Sequence, residues 1–365
     1  MNNSMILPIV AFVIACISAM WLHPKVVNIA QLKGITDKPN KRKLQREPVP
    51  VLGGLVVFFG ILMGVGLTSA YYECSGMMLF FSLLLVMLYT GTMDDIVGLS
   101  PRARFLIEIV AVLILIFVGG YSINDFYGLW GFNVLPAWFS VLLTLVAAVG
   151  IINAINLIDG VDGLSSGYCI IASAIFGLFF WTTGDIMMTI LAVSCIGALI
   201  PFFMHNVFGK RSKMFIGDGG TLVMGLVMAL FVLKILDNDN ASVNTAAFAD
   251  NFGLIPFTLA VLAIPIFDTL RVIFTRLIRK TSPFKPDKKH LHHAFIEVGC
   301  SHLTTTACTL LLNVAIIVIW FLLYWFGASS DVQLYTVVCA GLVFTVGVYA
   351  VLRLKAKSVE KEEIQ

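Results

Sequence analysis

Charge is scarce in this chain. Asp, Glu, Lys and Arg make up 12% of its 365 residues while 59% are hydrophobic, whereas about a quarter of an ordinary soluble domain is charged. A water-soluble enzyme is excluded. The two signs nearly cancel, with 24 Lys and Arg against 21 Asp and Glu and a net charge of +3, so nothing argues for a nucleic-acid partner. Cysteine is sparse too. The seven residues lie mostly in apolar runs without metal-ligand or redox spacing, and their odd number speaks against a disulfide framework; they read as small buried hydrophobes. Internal repeats, low-complexity tracts and a separate soluble domain are all missing. The P-loop pattern G-x-x-x-x-G-K-[ST] is absent, which removes a P-loop ATPase. No Lys or Arg precedes the first apolar run, and His23, Pro24 and Lys25 follow it instead of a small-residue cleavage site, so it is expected to remain as an uncleaved span.

The sequence has long apolar runs in abundance. A bilayer span needs about 20 mostly apolar residues, and eleven segments qualify, near 5–22, 51–70, 77–92, 104–120, 136–152, 165–182, 186–204, 219–236, 253–273, 304–327 and 333–353. The expected fold is therefore an all-α integral membrane protein of about eleven transmembrane helices. One polytopic unit covers 1–353, and a charged tail covers 354–365. Alternating the spans places 23 of the 24 Lys and Arg on one side, leaving only Lys234 elsewhere. The positive-inside rule makes that side cytoplasmic, with the N-terminus outside and the C-terminus inside. Glu73, Asp125, Asp185, Asp237, Asp239, Asp250 and Asp331 fall on the opposite side. Pro256 and Pro265 predict a kinked or broken ninth span that opens a side groove for a lipid tail.

The polar residues concentrate on the cytoplasmic loops. The first reads DKPNKRKLQREPVPVLGG, with Lys38, Arg42, Lys43 and Arg46 serving either as topology determinants and anionic-lipid contacts or as phosphate ligands. Asp94 and Asp95 stand side by side at the end of span three, where adjacent carboxylates call for a cation, a metal or a raised pKa, unless the loop is simply solvated. Asn153, Asn156, Asp159 and Asp162 follow span five, interleaved with Gly160 and Gly163. So many polar groups beside an apolar span favour a site over a plain turn. Asp218, between Gly217 and Gly219, suits a helix cap and a metal ligand equally. Lys210, Arg211 and Lys213 nearby suit either phosphate or topology. His290, His292 and His293 among lysines favour anion binding over a zinc site or an inert loop. Asp268 is an intramembrane acid that is either functional or a partner of Arg271. Carboxylates hold Mg²⁺ and cations hold phosphates, so the combined face is equipped for phosphoryl transfer between a lipid and a soluble substrate.

In order, DKP with a following Arg and VLGG, the DD pair, NAINLIDGVDGL, FIGDGG, PIFDT and PDKKHLHH resemble the polyprenyl-phosphate N-acetylhexosamine-1-phosphate transferases across nearly the whole chain. That family starts enterobacterial common antigen, O-antigen, teichoic acid and peptidoglycan lipid synthesis, and the HLHH form is similar to the branch using UDP-GlcNAc or a related UDP-amino sugar, more than to the peptidoglycan branch. The resemblance implies transfer of a sugar 1-phosphate from a UDP-N-acetylhexosamine to undecaprenyl phosphate, with release of UMP, in the bacterial inner membrane. It implies Mg²⁺, or alternatively Mn²⁺, held by Asp218 with Asn156 nearby. Asp94 and Asp95 would serve the lipid phosphate or metal, with Asp94 as base. Asn153, Asn156, Asp159 and Asp162 would face the uridine and sugar. His290, His292 and His293 with Arg271 or Arg276 would neutralise the diphosphate, and Lys38 and Arg42 would place phosphates. Two departures from the family pattern are Gln45 where many members have His and Gly98 where some relatives have a third acid; Thr221 replaces the usual Ser and keeps its hydroxyl. The sugar, the downstream polymer and the choice between monomer and homodimer are not written in these motifs. The rival class is a secondary transporter, which would place acids near the midplane of repeated halves, or a relative acting on UDP-MurNAc-pentapeptide.

Overall fold

The computed structural model describes residues 3–37, 48–71, 76–237, 248–282 and 289–364. Helices dominate: α1 (Asn3–Lys33), α2 (Gly53–Thr68), α3 (Met77–Val97), α4 (Pro101–Phe117), α5 (Ala137–Leu157), α6 (Leu164–Thr183), α7 (Ile186–Phe208), α8 (Gly217–Leu236), α9 (Leu254–Val261), α10 (Ala263–Ile278), α11 (Leu291–Glu297), α12 (His302–Trp325), α13 (Ser330–Leu342) and α14 (Val348–Ile364). In hydrocarbon the backbone must satisfy its own hydrogen bonds, and a helix does so within one segment. Among the described residues nine helices are long and apolar enough to cross a bilayer, taking Ser330–Ser358 as one, and the bent pair α9–α10 makes a tenth. The remaining predicted span is α4, whose 17 residues sit at the short end of spanning length.

The bundle is built around α8. Every residue of α8 except Asp218 is buried, as expected of a helix that is apolar on all sides, and α2, α3, α5 and α6 pack around it. Small residues let α1, α2 and α7 close on one another. A Cβ on Gly60 would lie 2.7 Å from Ala198 Cβ, and one on Gly197 would lie 2.5 Å from the Phe12 carbonyl oxygen. Ile9, Ile17, Leu85, Val146 and Leu311 point outward and remain exposed, on the face that lipid would cover.

Several helices run past the predicted spans toward the loops. α1 continues through His23, Pro24 and Lys25 because Val26, Val27 and Ala30 keep one face buried. α5 likewise reaches Leu157, so Asn153 and Asn156 are helical residues. The expected break in span nine is a 77° bend between α9 and α10. Pro265, third in α10, gives no N–H to the preceding turn, and Leu262 leaves the helical region with ψ of 17°. Beside the helices lies a short antiparallel pairing of β1 (Thr36–Asp37) with β2 (Val49–Pro50), which brings Asp37 to the wall of the site.

Candidate active site

The N-terminus of α8 meets α2 and α3 at backbone contact distance, and this closeness fixes Asp218. A Cβ on Gly54 would lie 2.2 Å from the Gly220 nitrogen, and one on Gly91 would lie 2.3 Å from the Asp218 carbonyl carbon. Hydrogen bonds from Gly53 N to Phe215 O (3.0 Å) and Gly54 N to Ile216 O (2.7 Å) tie the start of α2 to the residues before α8. Gly217 adopts φ of +68°, which a side chain rarely tolerates, and thereby turns the chain into α8. Asp218 is not the cap of this helix, because Ile216 holds the cap position and no side chain caps it. Its carboxylate instead faces other elements. Asn156 Nδ2 donates to Asp218 Oδ1 (2.7 Å) and to Thr221 Oγ1 (2.7 Å). Arg104 Nη1 donates to Asp94 Oδ2 (2.9 Å) and, more weakly, to Asp218 Oδ2 (3.4 Å). Asp94 Oδ1 also accepts from the Leu99 N–H (2.7 Å), and Asp95 Oδ2 accepts from the Gly219 N–H (3.3 Å). Glu108 is fully buried one turn beyond Arg104, with Arg104 Nε 3.7 Å from its Oε1 and Asn153 Nδ2 bonded to its Oε2.

The second wall is the 158–163 turn between α5 and α6. Ser165 Oγ donates to Asp159 Oδ1 (2.5 Å). Burial nonetheless dominates and pushes the Asp159 carboxyl up to about 7, helped by the nearby charges of Asp218 and Asp162. Asp162 moves the other way. Its burial opposes ionisation, yet His302 Nδ1 (2.9 Å) and Lys213 Nζ (2.6 Å) on its Oδ2 prevail and hold it below the usual carboxylate range. Gly163 N donates to Asn206 Oδ1 (2.7 Å), which pins the turn to α7.

The histidine segment forms a third layer. Asp268 accepts from Arg271 Nη2 (2.6 Å), lies 2.8 Å from His290 Nδ1, and receives the Leu291 N–H (3.2 Å). Arg271 also lies 3.8 Å over the Tyr349 ring. His292 packs against Gly160, where a Cβ would fall 2.2 Å from its Nε2. Burial, followed by the charges of His293 and His290, keeps the His292 imidazole well below its ordinary pKa, so it is neutral at pH 7.

These layers enclose a cavity of about 730 Å³ lined by Asp37, Asp94, Asp95, Asp159, Asp162, Ser165, Lys213, Asp218, His293 and His302 among others. Of the acids, cations and histidines singled out from sequence, Asp94, Asp95, Asp159, Asp162, Lys213, Asp218 and His293 line it. Asn156 stands behind Asp218 and Asn153 behind Glu108. His290 and Arg271 sit on Asp268, and Arg276 is buried on α10 outside the lining. Lys38 and Arg42 lie outside the described residues. Arg104, Glu108 and His302 were not singled out from sequence. Glu108 is the only acid within predicted span 104–120, and Arg104 precedes it by four; an acid inside a span with a cation one turn away is a readable signal. His302 opens α12 and carried no such mark. Among the described residues no three His, Cys, Asp or Glu side chains converge closely enough to hold a metal by themselves.

The model of glycosyl transferase family 4 matches residues 77–236, the stretch that holds Asp94, Asp95, Asp159, Asp162 and Asp218. The chain is 29% identical over 306 residues to the undecaprenyl-phosphate alpha-N-acetylglucosaminyl 1-phosphate transferase of Escherichia coli K12, covering 79% of this chain and 78% of the relative. The Salmonella typhimurium protein of the same name is 29% identical over 278 residues, covering 73% and 70%. A probable undecaprenyl-phosphate N-acetylglucosaminyl 1-phosphate transferase of Bacillus subtilis is 30% identical over 306 residues, covering 83% of this chain and 81% of the relative. Similarity that spans most of both chains and includes the carboxylate-bearing core places this chain in glycosyl transferase family 4.

Proposed function

We propose that this protein transfers N-acetylglucosamine 1-phosphate from UDP-N-acetylglucosamine to undecaprenyl phosphate, in the bacterial cytoplasmic membrane with the cavity facing the cytoplasm. The lipid phosphate oxygen attacks the sugar-linked phosphorus, the bond from that phosphorus to the bridging oxygen breaks, and UMP leaves. The observation that carries this reading is one cavity, lined from several helix ends and loops, that gathers Asp94, Asp95, Asp159 and Asp218 beside Lys213 and His293. The names of the relatives support the choice of lipid and sugar.

Mg²⁺ suits this donor set. Asp94 and Asp218 share a single guanidinium and Asp95 lines the same cavity, and carboxylate oxygens are the hard ligands the ion prefers. Asp218 and Asp94 or Asp95 would hold it, with phosphate oxygens and water completing the shell. When bound, it would neutralise charge on the diphosphate. Asn156 turns its nitrogen toward Asp218, so its work is to orient that carboxylate. Arg104 aligns Asp94 with Asp218, and Lys213 and His293 face the diphosphate. A phosphate monoester has a second pKa near 6 and is already largely ionised at pH 7, so a base contributes little and positioning dominates. Purified protein given undecaprenyl phosphate and UDP-N-acetylglucosamine should release UMP only with both substrates, lose the activity in EDTA, and regain it with Mg²⁺. UMP release without lipid, or activity indifferent to the chelator, would contradict this reading.

A further inference from the structure

Lys213 is the one Lys or Arg among the described residues that line the cavity. A lysine stem is flexible, so an ammonium held at one point needs a fixed backbone beneath it. The 209–216 segment between α7 and α8 is fixed on the far side of Lys213: Asn206 Nδ2 donates to Met214 O (2.9 Å), and the Phe215 N–H to Pro50 O (2.8 Å). On the near side two histidines grip Ser212. His23 Nε2 lies 2.8 Å from the Ser212 carbonyl oxygen, and His205 Nδ1 lies 2.8 Å from its hydroxyl. The rings come from α1 and α7 and stack with centroids 4.2 Å apart at 17°. His23 is completely buried and donates from Nε2 to a carbonyl, which leaves Nδ1 enclosed without a partner among the described residues. An apolar ring would pack there without that orphaned atom. What the imidazole adds is the bond to Ser212, the residue next to Lys213.

We propose that His23 and His205 are positioning residues that act through Ser212 to hold Lys213 on the cavity wall, where it faces the diphosphate of the nucleotide sugar. The role of Lys213 toward substrate rests on the transferase reading, whereas the clamp on its backbone does not. The test therefore has two readouts. The first is acetylation of intact protein by acetic anhydride, read by peptide mass spectrometry as the rate at Lys213 relative to exposed Lys210. In wild type, Lys213 should react several-fold more slowly than Lys210, because Asp162 holds its ammonium. His23→Leu should bring the two rates together. His23→Gln, whose amide can still donate to Ser212 O, should keep Lys213 slow. His205→Phe retains the stacked ring but removes the bond to the hydroxyl, and Ser212→Ala does the same from the other side; both should give intermediate rates and serve if His23→Leu elutes as aggregate. The second readout is KM for UDP-N-acetylglucosamine. His23→Leu should raise it about 10-fold with little change in kcat, and should add less than about 2-fold in a Lys213→Met background, as expected of residues acting through one group. An unchanged Lys213 rate in the folded variants, or fully multiplicative effects of His23→Leu and Lys213→Met, would overturn the clamp. A wild type that releases no UMP while Lys213 reactivity responds as described would overturn the transferase reading and leave the clamp standing.

Discussion

Asp218 and Asp94 share Arg104, but their surroundings set them different tasks. Asp218 is held from both sides, by Asn156 on Oδ1 and Arg104 on Oδ2, and it begins a helix whose N-terminal dipole favours anions. Asp94 spends one oxygen on the Leu99 N–H and the other on Arg104. With the nucleophile already ionised, the residue that would carry the ion outweighs the residue that could act as base. Asp218→Ala should lower kcat by about 10³-fold and Asp94→Asn by about 10-fold, measured as initial UMP release; near-wild-type rates for both would remove this assignment. Asp159 gives a test independent of turnover. Its folded pKa of about 7 lies above the ordinary unfolded value, so its contribution to stability is complete below pH ~4 and is lost as pH rises through 7. Asp159→Asn keeps an acceptor for Ser165 and removes the titration. At pH 8.5 it should be more stable than wild type by about 1–2 kcal/mol, with the advantage shrinking toward acid pH. A thermal-melt series in which both proteins share one pH dependence would contradict the burial argument. At this scale the acids that stand out in the sequence, Asp94, Asp95, Asp159, Asp162 and Asp218, line one cavity, and they stand out because an acid next to an apolar span has few roles. The sequence could not divide the histidines, since whether an imidazole meets Asp268, Gly160 or the cavity depends on α10 and α11 folding back together.

At the scale of helices, the site depends on α2 and α3 reaching the start of α8 at backbone contact. Gly54 opposes Gly220 with no space for a side chain, and neither backbone can retreat without breaking the Gly54 N to Ile216 O bond. Overpacking a core costs about 1–3 kcal/mol when side chains can adjust, and two backbones cannot. Gly54→Val should therefore lose at least about 3 kcal/mol and elute as aggregate on gel filtration; a monodisperse, active variant would show that the contact is dispensable. In a sequence, a glycine pair such as Gly53 and Gly54 marks close approach without naming the partner. The break in the ninth span was readable, since Pro256 and Pro265 remove donors wherever they stand. The reach of α1 and α5 was not: charge and proline suggested loops, while continued burial of Val26, Val27 and Ala30 on α1 and the docking of Asn153 and Asn156 kept those turns helical.

Across the whole molecule, alternation of spans and charge anticipated which loops would meet. Asp37, Asp94, Asp159, Lys213, Asp218, His293 and His302 come from far-apart segments that the alternation assigned to one side, and they line one cavity. The single cation outside that pattern has a local reason. Lys234 lies at the opposite end of α8 from Asp218, with its ammonium 3.9 Å from Asp185, so it offsets a buried acid there. A cavity at one end of a lipid-facing bundle fits a substrate pair in which one member is held in the membrane and the other arrives from water. Movement of a phosphorus atom separates this reaction from an ordinary glycosyl transfer using the same two substrates. The most direct test supplies UDP-N-acetylglucosamine labelled with ³²P at the sugar-linked phosphate, together with undecaprenyl phosphate and Mg²⁺, and follows the label into butanol-extracted lipid. The label should enter the lipid in equal amount to the UMP released, and the UMP should be unlabelled; labelled UDP in the aqueous phase, with sugar but no ³²P in the lipid, would show glycosyl transfer instead.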